Sequence, residues 1–227
     1  MQKSRCLGLV GGLGVGAAVH YYERLAKGCE RLGRALDIVI TNAYTPDVFK
    51  YVEAKDRAGL AEYLNGYIRR MHAAGAEIAA VPAVTPHFSI DELVGMSPVP
   101  IVSIFDALRA EISRRAIRRV AIFGTRFVID SDFFGALADI AIVRPRPEEV
   151  DIIHTTYVEL AAEGKGSAAR RDKLKAVAMT LVRRERVDAI VLAGTDLTLL
   201  FDESTAEFPC VDCARTHIEE ILRRVVA

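Results

Sequence analysis

The chain has 227 residues, of which 51% are hydrophobic and 26% are charged. This is the composition of a globular protein with a sizeable core, and it excludes a disordered chain. Thirty Lys and Arg residues balance thirty Asp and Glu residues, which removes the electrostatic argument for binding nucleic acid or a membrane surface. No apolar run approaches the roughly 20 residues that span a bilayer, so no membrane partner is expected.

The chain begins with an apolar, glycine-rich stretch. Lys3 and Arg5 precede an uncharged run over residues 6–19, which resembles a signal peptide. Five glycines interrupt the run, so we favour a buried strand followed by a glycine turn. The four cysteines then indicate a reducing, cytoplasmic location. Cys210 and Cys213 form a C-x-x-C without a second pair, and we interpret them as small buried residues.

Short apolar strands alternate with longer amphipathic segments along the chain. The strands are continuous Val, Ile, Leu and Ala runs, which is typical of parallel strands covered by helices on both faces. At the start of one helix, Ser89 and Glu92 fit a capping box. The predicted strands are 6–10, 37–41, 77–81, 100–104, 120–124, 140–143 and 189–193. The predicted helices are 17–34, 55–74, 89–96, 106–114, one near 131–137, 148–163, 168–184 and 213–226.

The second half of this order repeats the first. Gly11 and Gly124 each end a strand, and the segments IAAVPAVT and AIVLAGT end at Thr85 and Thr195. The pattern predicts an α/β protein of two pseudosymmetric αβα halves, each with a mainly parallel sheet. The ligand site is expected in the cleft between them, where the carboxyl ends of strands open into loops. The predicted first half is 1–98 plus the C-terminal helix 213–227, and the second half is 99–212.

The glycine turn after the first strand matches G-x-G-x-x-A over residues 12–17. A dinucleotide-binding fingerprint has this context, but it also needs an acid at the end of the second strand. Asp37 begins that predicted strand and Asn42 follows it. Two alternatives remain open: a turn whose amides face an anionic ligand, and a turn that is needed only for packing.

Polar residues follow the third strand of each half. His87 could act as an acid or base near neutral pH, and Asp196 could orient it or serve as a second base. Thr85 and Thr195 could hold a carboxylate through their hydroxyl and N–H groups. The alternatives are a structural role for His87 and a helix N-cap for Asp196.

These motifs together resemble the aspartate/glutamate racemase superfamily over essentially the whole chain. Residues 9–14 (LVGGLG) are similar to its G-G-M-G turn, residues 81–87 (VPAVTPH) to P-C-N-T-A-H, and residues 192–196 (LAGTD) to G-C-T-E. The segment 124–126 (GTR), Asp212 and His217 also fit. The resemblance implies two pseudosymmetric α/β halves, a homodimer and catalysis without a cofactor.

The chain departs from that family where the resemblance implies its chemistry. Family racemases use two cysteines that face each other across the substrate α-carbon, and Ala83 and Gly194 stand at these positions. Neither residue ionises, so two-thiol racemisation cannot proceed through them. Val48 stands where the family has a substrate-binding arginine, while Lys165 matches a lysine of its later G-K motif. The glutamate that often contacts an amino group is the shorter Asp196.

The departures predict a bulkier and less acidic ligand than aspartate, because Val48, Ala83, Val84 and Gly194 make the expected pocket larger and less polar. An engineered Cys→Ala exchange could explain Ala83 by itself. It would not explain the other three residues, so we favour natural divergence.

We therefore expect a cofactor-independent enzyme that acts on a small carboxylate or amino-acid-like molecule, including aromatic acids, by isomerisation, elimination or hydrolysis. The alternatives are a non-catalytic small-molecule-binding paralogue and a protein that binds NAD through Gly12 and Gly14. No metal is expected. The expected catalytic residues are Thr85, His87, Thr195 and Asp196, and the expected substrate-binding residues are Gly12, Asn42, Ala83, Val84, Thr125, Lys165 and Gly194.

Overall fold

The computed structural model of the chain describes residues 2–227, and these form two compact units. The first unit runs to Ile104 and also contains His217–Ala227, while the second is Phe105–Thr216. The sequence places the corresponding boundaries at 98/99 and 212/213. None of the helices within the described residues is both long enough and apolar enough to cross a membrane.

The first unit is built on a four-stranded sheet in which every neighbouring pair is parallel, in the order β4-β2-β5-β6. A separate parallel pair is formed by β1 and β3. The strands are β1 (Gln2–Lys3), β2 (Leu7–Gly11), β3 (Arg34–Ala35), β4 (Ile38–Asn42), β5 (Ile78–Ala80) and β6 (Ile101–Val102). The helices are α1 (Val15–Arg31), α2 (Thr45–Glu53), α3 (Arg57–Ala73) and α4 (Ile90–Met96).

The second unit repeats this plan with a parallel sheet in the order β10-β9-β7-β8. Its strands are β7 (Arg119–Phe123), β8 (Ala141–Val143), β9 (Ala189–Leu192) and β10 (Cys210–Asp212). The remaining helices are α5 (Ile104–Arg114), α6 (Arg126–Asp130), α7 (Pro147–Glu163), α8 (Ala168–Glu185) and α9 (Cys213–Val226), which continues from the second unit into the first.

The two sheets share one strand order. Numbered along the chain within its own half, each sheet reads second, first, third, fourth. The first strands, β2 and β7, are central, and they are continuous apolar runs that helices cover on both faces. The predicted α/β fold of two similar halves with parallel sheets is confirmed.

Two local predictions in the first unit need correction. The Ser89 hydroxyl donates to the Pro86 carbonyl at 3.2 Å and does not cap α4, while Glu92 accepts from Arg57 Nε at 2.6 Å. The predicted capping box is therefore wrong. Helix α2 was not predicted from the sequence. Pro46 stands in its first turn, where the missing N–H has no helical partner to lose.

The segment after β7 differs from the helix predicted near residues 131–137. Thr125 starts a helix earlier, because its Oγ1 accepts the N–H of Val128 at 3.3 Å, and α6 ends at Asp130. Residues 132–135 then take four consecutive left-handed conformations, with φ between +48° and +73°. A right-handed helix cannot pass through such residues, so this prediction is wrong.

Candidate functional site

In the first unit, the predicted site residues follow the carboxyl ends of three neighbouring strands. These strands, β2, β4 and β5, end at Gly11, Asn42 and Ala80. Because parallel strands present their carboxyl ends at the same edge of a sheet, the loops after them lie side by side. The fold thus brings Gly12, Asn42, Ala83, Val84, Thr85 and His87 to one edge of the first sheet.

Residue 12 has no room for a side chain, because the loop after β4 lies against it. Its φ is +82°, and a Cβ atom built on it would lie 2.7 Å from Asn42 Nδ2 and would overlap the Ala43 carbonyl oxygen. The Thr45 hydroxyl donates to the Gly12 carbonyl at 2.7 Å. Packing alone therefore requires glycine here, and among the alternatives for this turn the structural one is favoured.

His87 is held through both ring nitrogens. The N–H of Ile104 donates to Nε2 at 3.1 Å, so this nitrogen carries a lone pair, and Nδ1 donates to the Ala83 carbonyl at 2.8 Å. The side chain is almost fully buried. The neutral imidazole thus ties the turn after β5 to the start of α5. Ala83 and Val84, in the same turn, are also buried, and Thr85 is half-buried.

A second buried histidine lies against His87. The His217 ring packs edge-on to it with centroids 6.3 Å apart, donates from Nε2 to the Val102 carbonyl at 2.8 Å and accepts the Tyr21 hydroxyl at Nδ1. Burial, together with the neighbouring His87, lowers the pKa of His217 to about 3. Both imidazoles therefore support the loops of this edge as neutral groups.

In the second unit, the site residues follow β7 and β9, which are paired from Val120 to Phe123. Thr125 is buried and its side chain caps α6. Thr195 and Asp196 begin a short 3-10 helix after β9, and both are fully buried within it. The fold thus brings Thr125, Gly194, Thr195 and Asp196 to one edge of the second sheet.

The ring of Tyr157, from α7, occupies the space above Gly194. A Cβ atom built on Gly194 would lie 2.6 Å from Tyr157 Cζ and would overlap Cε2. Tyr157 also interacts electrostatically with Asp196. Burial and the nearby Asp196 carboxyl raise the Tyr157 pKa well above 10, so the phenol remains protonated. The absence of a side chain at residue 194 is therefore matched by a large side chain from another element.

Lys165 lies in the loop between α7 and α8, and its side chain is exposed. Arg170 donates to its carbonyl at 3.3 Å. This loop is close to the Asp196 turn, because a Cβ atom built on Gly166 would overlap the Leu199 carbonyl oxygen. Lys165 is thus the one predicted site residue of this unit that presents its charge to solvent.

Sequence reasoning missed Tyr157 and His154, which lie one turn apart on α7. His154 Nδ1 accepts the N–H of Arg126 at 3.2 Å, and burial followed by the Arg126 charge lowers its pKa. No motif marks either residue, since both occupy ordinary positions of an amphipathic helix. The only signal in the sequence was Gly194, whose missing side chain implies that something else fills the space.

The cysteines take no part in these loops. Cys213 donates from Sγ to the Leu192 carbonyl at 2.8 Å, and burial raises the pKa of both Cys213 and Cys210, the latter to about 12. The prediction that this pair is buried is confirmed. Within residues 2–227, no group of three or more His, Cys, Asp or Glu side chains is arranged to hold a metal ion.

Comparison with known proteins agrees with this architecture. Residues 10–221 match the family model of the Asp/Glu/hydantoin racemases, which is most of the chain. The protein belongs to the Asp/Glu/hydantoin racemase family. The match includes the loops at the carboxyl edges of both sheets.

Solved structures show how far this racemase-family fold extends. A candidate Asp/Glu racemase from Yersinia pestis superposes with a TM-score of 0.83 at 22% identity, covering 100% of both chains. An aspartate racemase homologue from Pyrococcus horikoshii gives 0.80 at 22% identity over 98% of both chains. An allantoin racemase from Klebsiella pneumoniae gives 0.63 at 14% identity, covering 99% of this chain and 91% of the other. At these identities the likeness concerns the fold.

Proposed function

We propose that this member of the racemase family is a cofactor-independent enzyme that moves a proton on a small carboxylate substrate. Because residues 83 and 194 carry no thiol, side chains at other positions perform the proton transfer. Asp196 is the observation that carries the proposal. It is a carboxyl group with no exposed surface, two residues beyond Gly194, and it interacts electrostatically with Tyr157. A buried acid costs stability unless it is well bonded, and such groups are concentrated at functional sites.

The step we propose is proton transfer at the carbon next to the substrate carboxylate. Asp196, as a carboxylate, takes the proton, and the electron pair of the broken C–H bond delocalises into the adjacent carboxylate of the substrate. Return of the proton to the carbon completes an isomerisation, whereas departure of a leaving group completes an elimination. General-base catalysis of this kind contributes typically 10²–10⁴-fold.

The carboxyl edge of the first sheet carries candidate binding groups of its own. We propose that Thr85 and Asn42 contact the polar part of a small carboxylate, and that His87 holds the turn that carries Thr85. Ala83 and Val84 are buried apolar residues beside these groups, so an apolar or aromatic substituent fits this edge better than a second carboxylate. Thr195, Thr125 and Lys165 are the corresponding candidates in the second half.

Deuterium uptake from heavy water tests the proposal. A panel of aspartate, glutamate and aromatic carboxylic acids is followed by NMR, and we expect wild type to exchange a proton at the carbon next to the carboxylate of an aromatic acid. Asp196→Asn should slow this exchange at least 100-fold. Asp188→Asn is the matched control. Asp188 directly precedes β9, at the end of the strand opposite to Asp196, and accepts the N–H groups of Arg118 and Arg119.

Three outcomes would overturn the proposal or a part of it. If wild type exchanges no acid of the panel but is stabilised by one of them in a melting-shift assay, the protein is a binder. If aspartate or glutamate gives the fastest exchange, the prediction of a less acidic ligand is wrong. Exchange that persists in Asp196→Asn would assign the proton transfer to another residue.

We also propose that the protein is a homodimer and resides in the cytoplasm. Val15, Val19 and Tyr22 form an exposed apolar stripe on α1. Exposed Ile40, on the edge strand β4, extends it, because Ile40 and Ala18 both lie 3.6 Å from the Cβ position of Gly11. A contiguous apolar surface of this kind favours contact with another protein, and a second copy is the simplest partner. The four cysteines are free thiols, which suits a reducing compartment.

A further inference from the structure

Two side chains cap the first turn of α6. The Thr125 hydroxyl accepts the N–H of Val128 at 3.3 Å, and His154 Nδ1 accepts the N–H of Arg126 at 3.2 Å. The first N–H groups of a helix have no partner within it, so both bonds complete the start of α6. Thr125 is a local cap, whereas His154 reaches this turn from α7. The turn that carries Thr125 is therefore tied to a second element.

One side of α7 contacts the loops at the carboxyl edge of the second sheet. Asp151, His154 and Tyr157 are spaced three residues apart, and residues at this spacing are neighbours on a helix surface. Asp151 pairs with the Arg126 guanidinium, and His154 binds the N–H of the same residue. The Tyr157 ring covers Gly194. The first two side chains thus contact the loop after β7, and the third contacts the loop after β9.

His154 makes the firmer of the two contacts with Arg126. The Arg126 and Asp151 side chains are 43% and 66% exposed, and an ion pair in such surroundings contributes little to stability. The His154 side chain is half-buried, and its partner is a main-chain N–H, whose position the turn itself sets. Moving His154 would therefore move the backbone of the turn, whereas moving Asp151 would move a side chain.

The direction of this hydrogen bond fixes the protonation state of the ring. A nitrogen that accepts an N–H carries a lone pair, so the neutral imidazole of His154 holds its proton on Nε2. A second proton can bind only at Nδ1, where it removes the acceptor. Burial, followed by the Arg126 charge on α6, lowers the pKa of His154 below 6.5, while Asp151 on α7 and Asp130 on α6 act in the opposite direction. The bond is therefore intact at neutral pH and breaks on acidification.

We propose that His154 is a positioning residue of the second half: its neutral ring holds the turn that carries Thr125, and a proton on Nδ1 releases that turn. The inference rests on the proposed function, in which Thr125 is a candidate for binding the substrate. The effect of His154 falls on binding rather than on proton transfer, because the residue acts through the loop.

Two substitutions separate the acceptor from its titration. In His154→Asn the amide oxygen is attached to Cγ, as Nδ1 is in histidine, so an acceptor remains that does not titrate. In His154→Leu the acceptor is lost. We expect His154→Leu to raise KM about fivefold, which corresponds to the loss of one hydrogen bond to the substrate, while kcat changes less than about twofold. His154→Asn should restore most of the wild-type KM.

The pH dependence of KM gives a second readout. In wild type, KM should rise as the pH falls below 6.5, because protonated His154 releases the turn. In His154→Asn this rise should be absent. His72→Asn is the control, since His72 is exposed and lies on α3 in the first unit. A wild-type KM together with a wild-type pH dependence in His154→Leu would contradict the inference.

Hydrogen exchange of the Arg126 amide decides the point even if the protein turns over no substrate. At neutral pH we expect this amide to exchange with solvent about tenfold or more faster in His154→Leu than in wild type, and at nearly the wild-type rate in His154→Asn. In wild type, its ¹H–¹⁵N signal should shift with the same midpoint as the His154 ring, and His154→Asn should abolish that step.

The exchange experiment also separates this inference from the proposed function. Equal protection of the Arg126 amide in wild type and in His154→Leu would show that His154 does not hold the turn. Protection that depends on His154, in a protein that deuterates no acid of the panel, would refute the proposed function and leave the contact between α7 and the turn established.

Discussion

Two glycines show how single residues determine what this site can do. Gly12 must lack a side chain because a neighbouring backbone carbonyl takes its place, and Gly194 must lack one because a tyrosine ring does. At Gly12 the consequence is structural, since the turn closes against the loop after β4. At Gly194 the consequence is chemical, since it decides which functional group can approach a ligand from this position.

Another residue-scale consequence concerns pH. His217 is buried and its pKa is lowered from 6.5 to about 3, so the unfolded chain binds a proton below pH 6.5 that the folded chain does not. Its contribution to stability is complete above pH 6.5 and is lost as the pH falls towards 3, by about 1.4 kcal/mol per pH unit. In His217→Gln, the free energy of unfolding should therefore fall less steeply between pH 6.5 and 4 when measured with urea.

The comparison must be made between variants. Asp212 acts in the opposite direction between pH 6 and 3.8, because burial raises its pKa to about 6 and the folded state then holds the extra proton. The Asp212 effect is present in both wild type and His217→Gln, so the difference between their slopes isolates the effect of the histidine. His72→Gln, an exposed position on α3, should retain the wild-type slope. A wild-type slope in His217→Gln would contradict the assignment.

At the scale of elements, helix ends contain left-handed residues that are not glycine. Ala116 follows α5 with φ +53°, and its exposed methyl group is the only side-chain atom that would be lost in Ala116→Gly. An L residue in this region costs about 1–2 kcal/mol, and the greater freedom of glycine stabilises the unfolded state by about 0.5–1 kcal/mol. We expect Ala116→Gly to stabilise the protein by about 0.5–1 kcal/mol in urea unfolding.

Gly164 provides the matched reverse substitution. It ends α7 with φ +62°, and nothing lies within 4 Å of its Cβ position, so Gly164→Ala changes only the backbone preference. It should destabilise the protein by about 1 kcal/mol. If both variants shift stability in the same direction, backbone conformation is not the cause.

At the scale of the whole molecule, the same strand order appears in both halves, and both sets of site loops follow the carboxyl ends of strands.

The first half also carries the apolar stripe on α1. If the stripe joins two copies, wild type should sediment at twice the 24.9 kDa of one chain, and Val19→Lys should sediment as a monomer, because burying an unpaired charge is costly. Val158→Lys, at an exposed valine of α7, should remain dimeric. Monomeric wild type would refute the dimer.

The repeated halves, the parallel sheets and the loops that carry Thr85 and Thr195 could be predicted from the sequence, because continuous apolar strands, their alternation with helices and the glycine turns are local patterns. The helix after β7 was placed too late, because the left-handed run at residues 132–135 has only one glycine to reveal it. His87 looked available from the sequence, yet the fold places both its nitrogens on main-chain partners. The Tyr157–Asp196 pair joins residues 39 positions apart. Contacts of this kind form only when α7 packs on the loop after β9, so no local pattern could have revealed them.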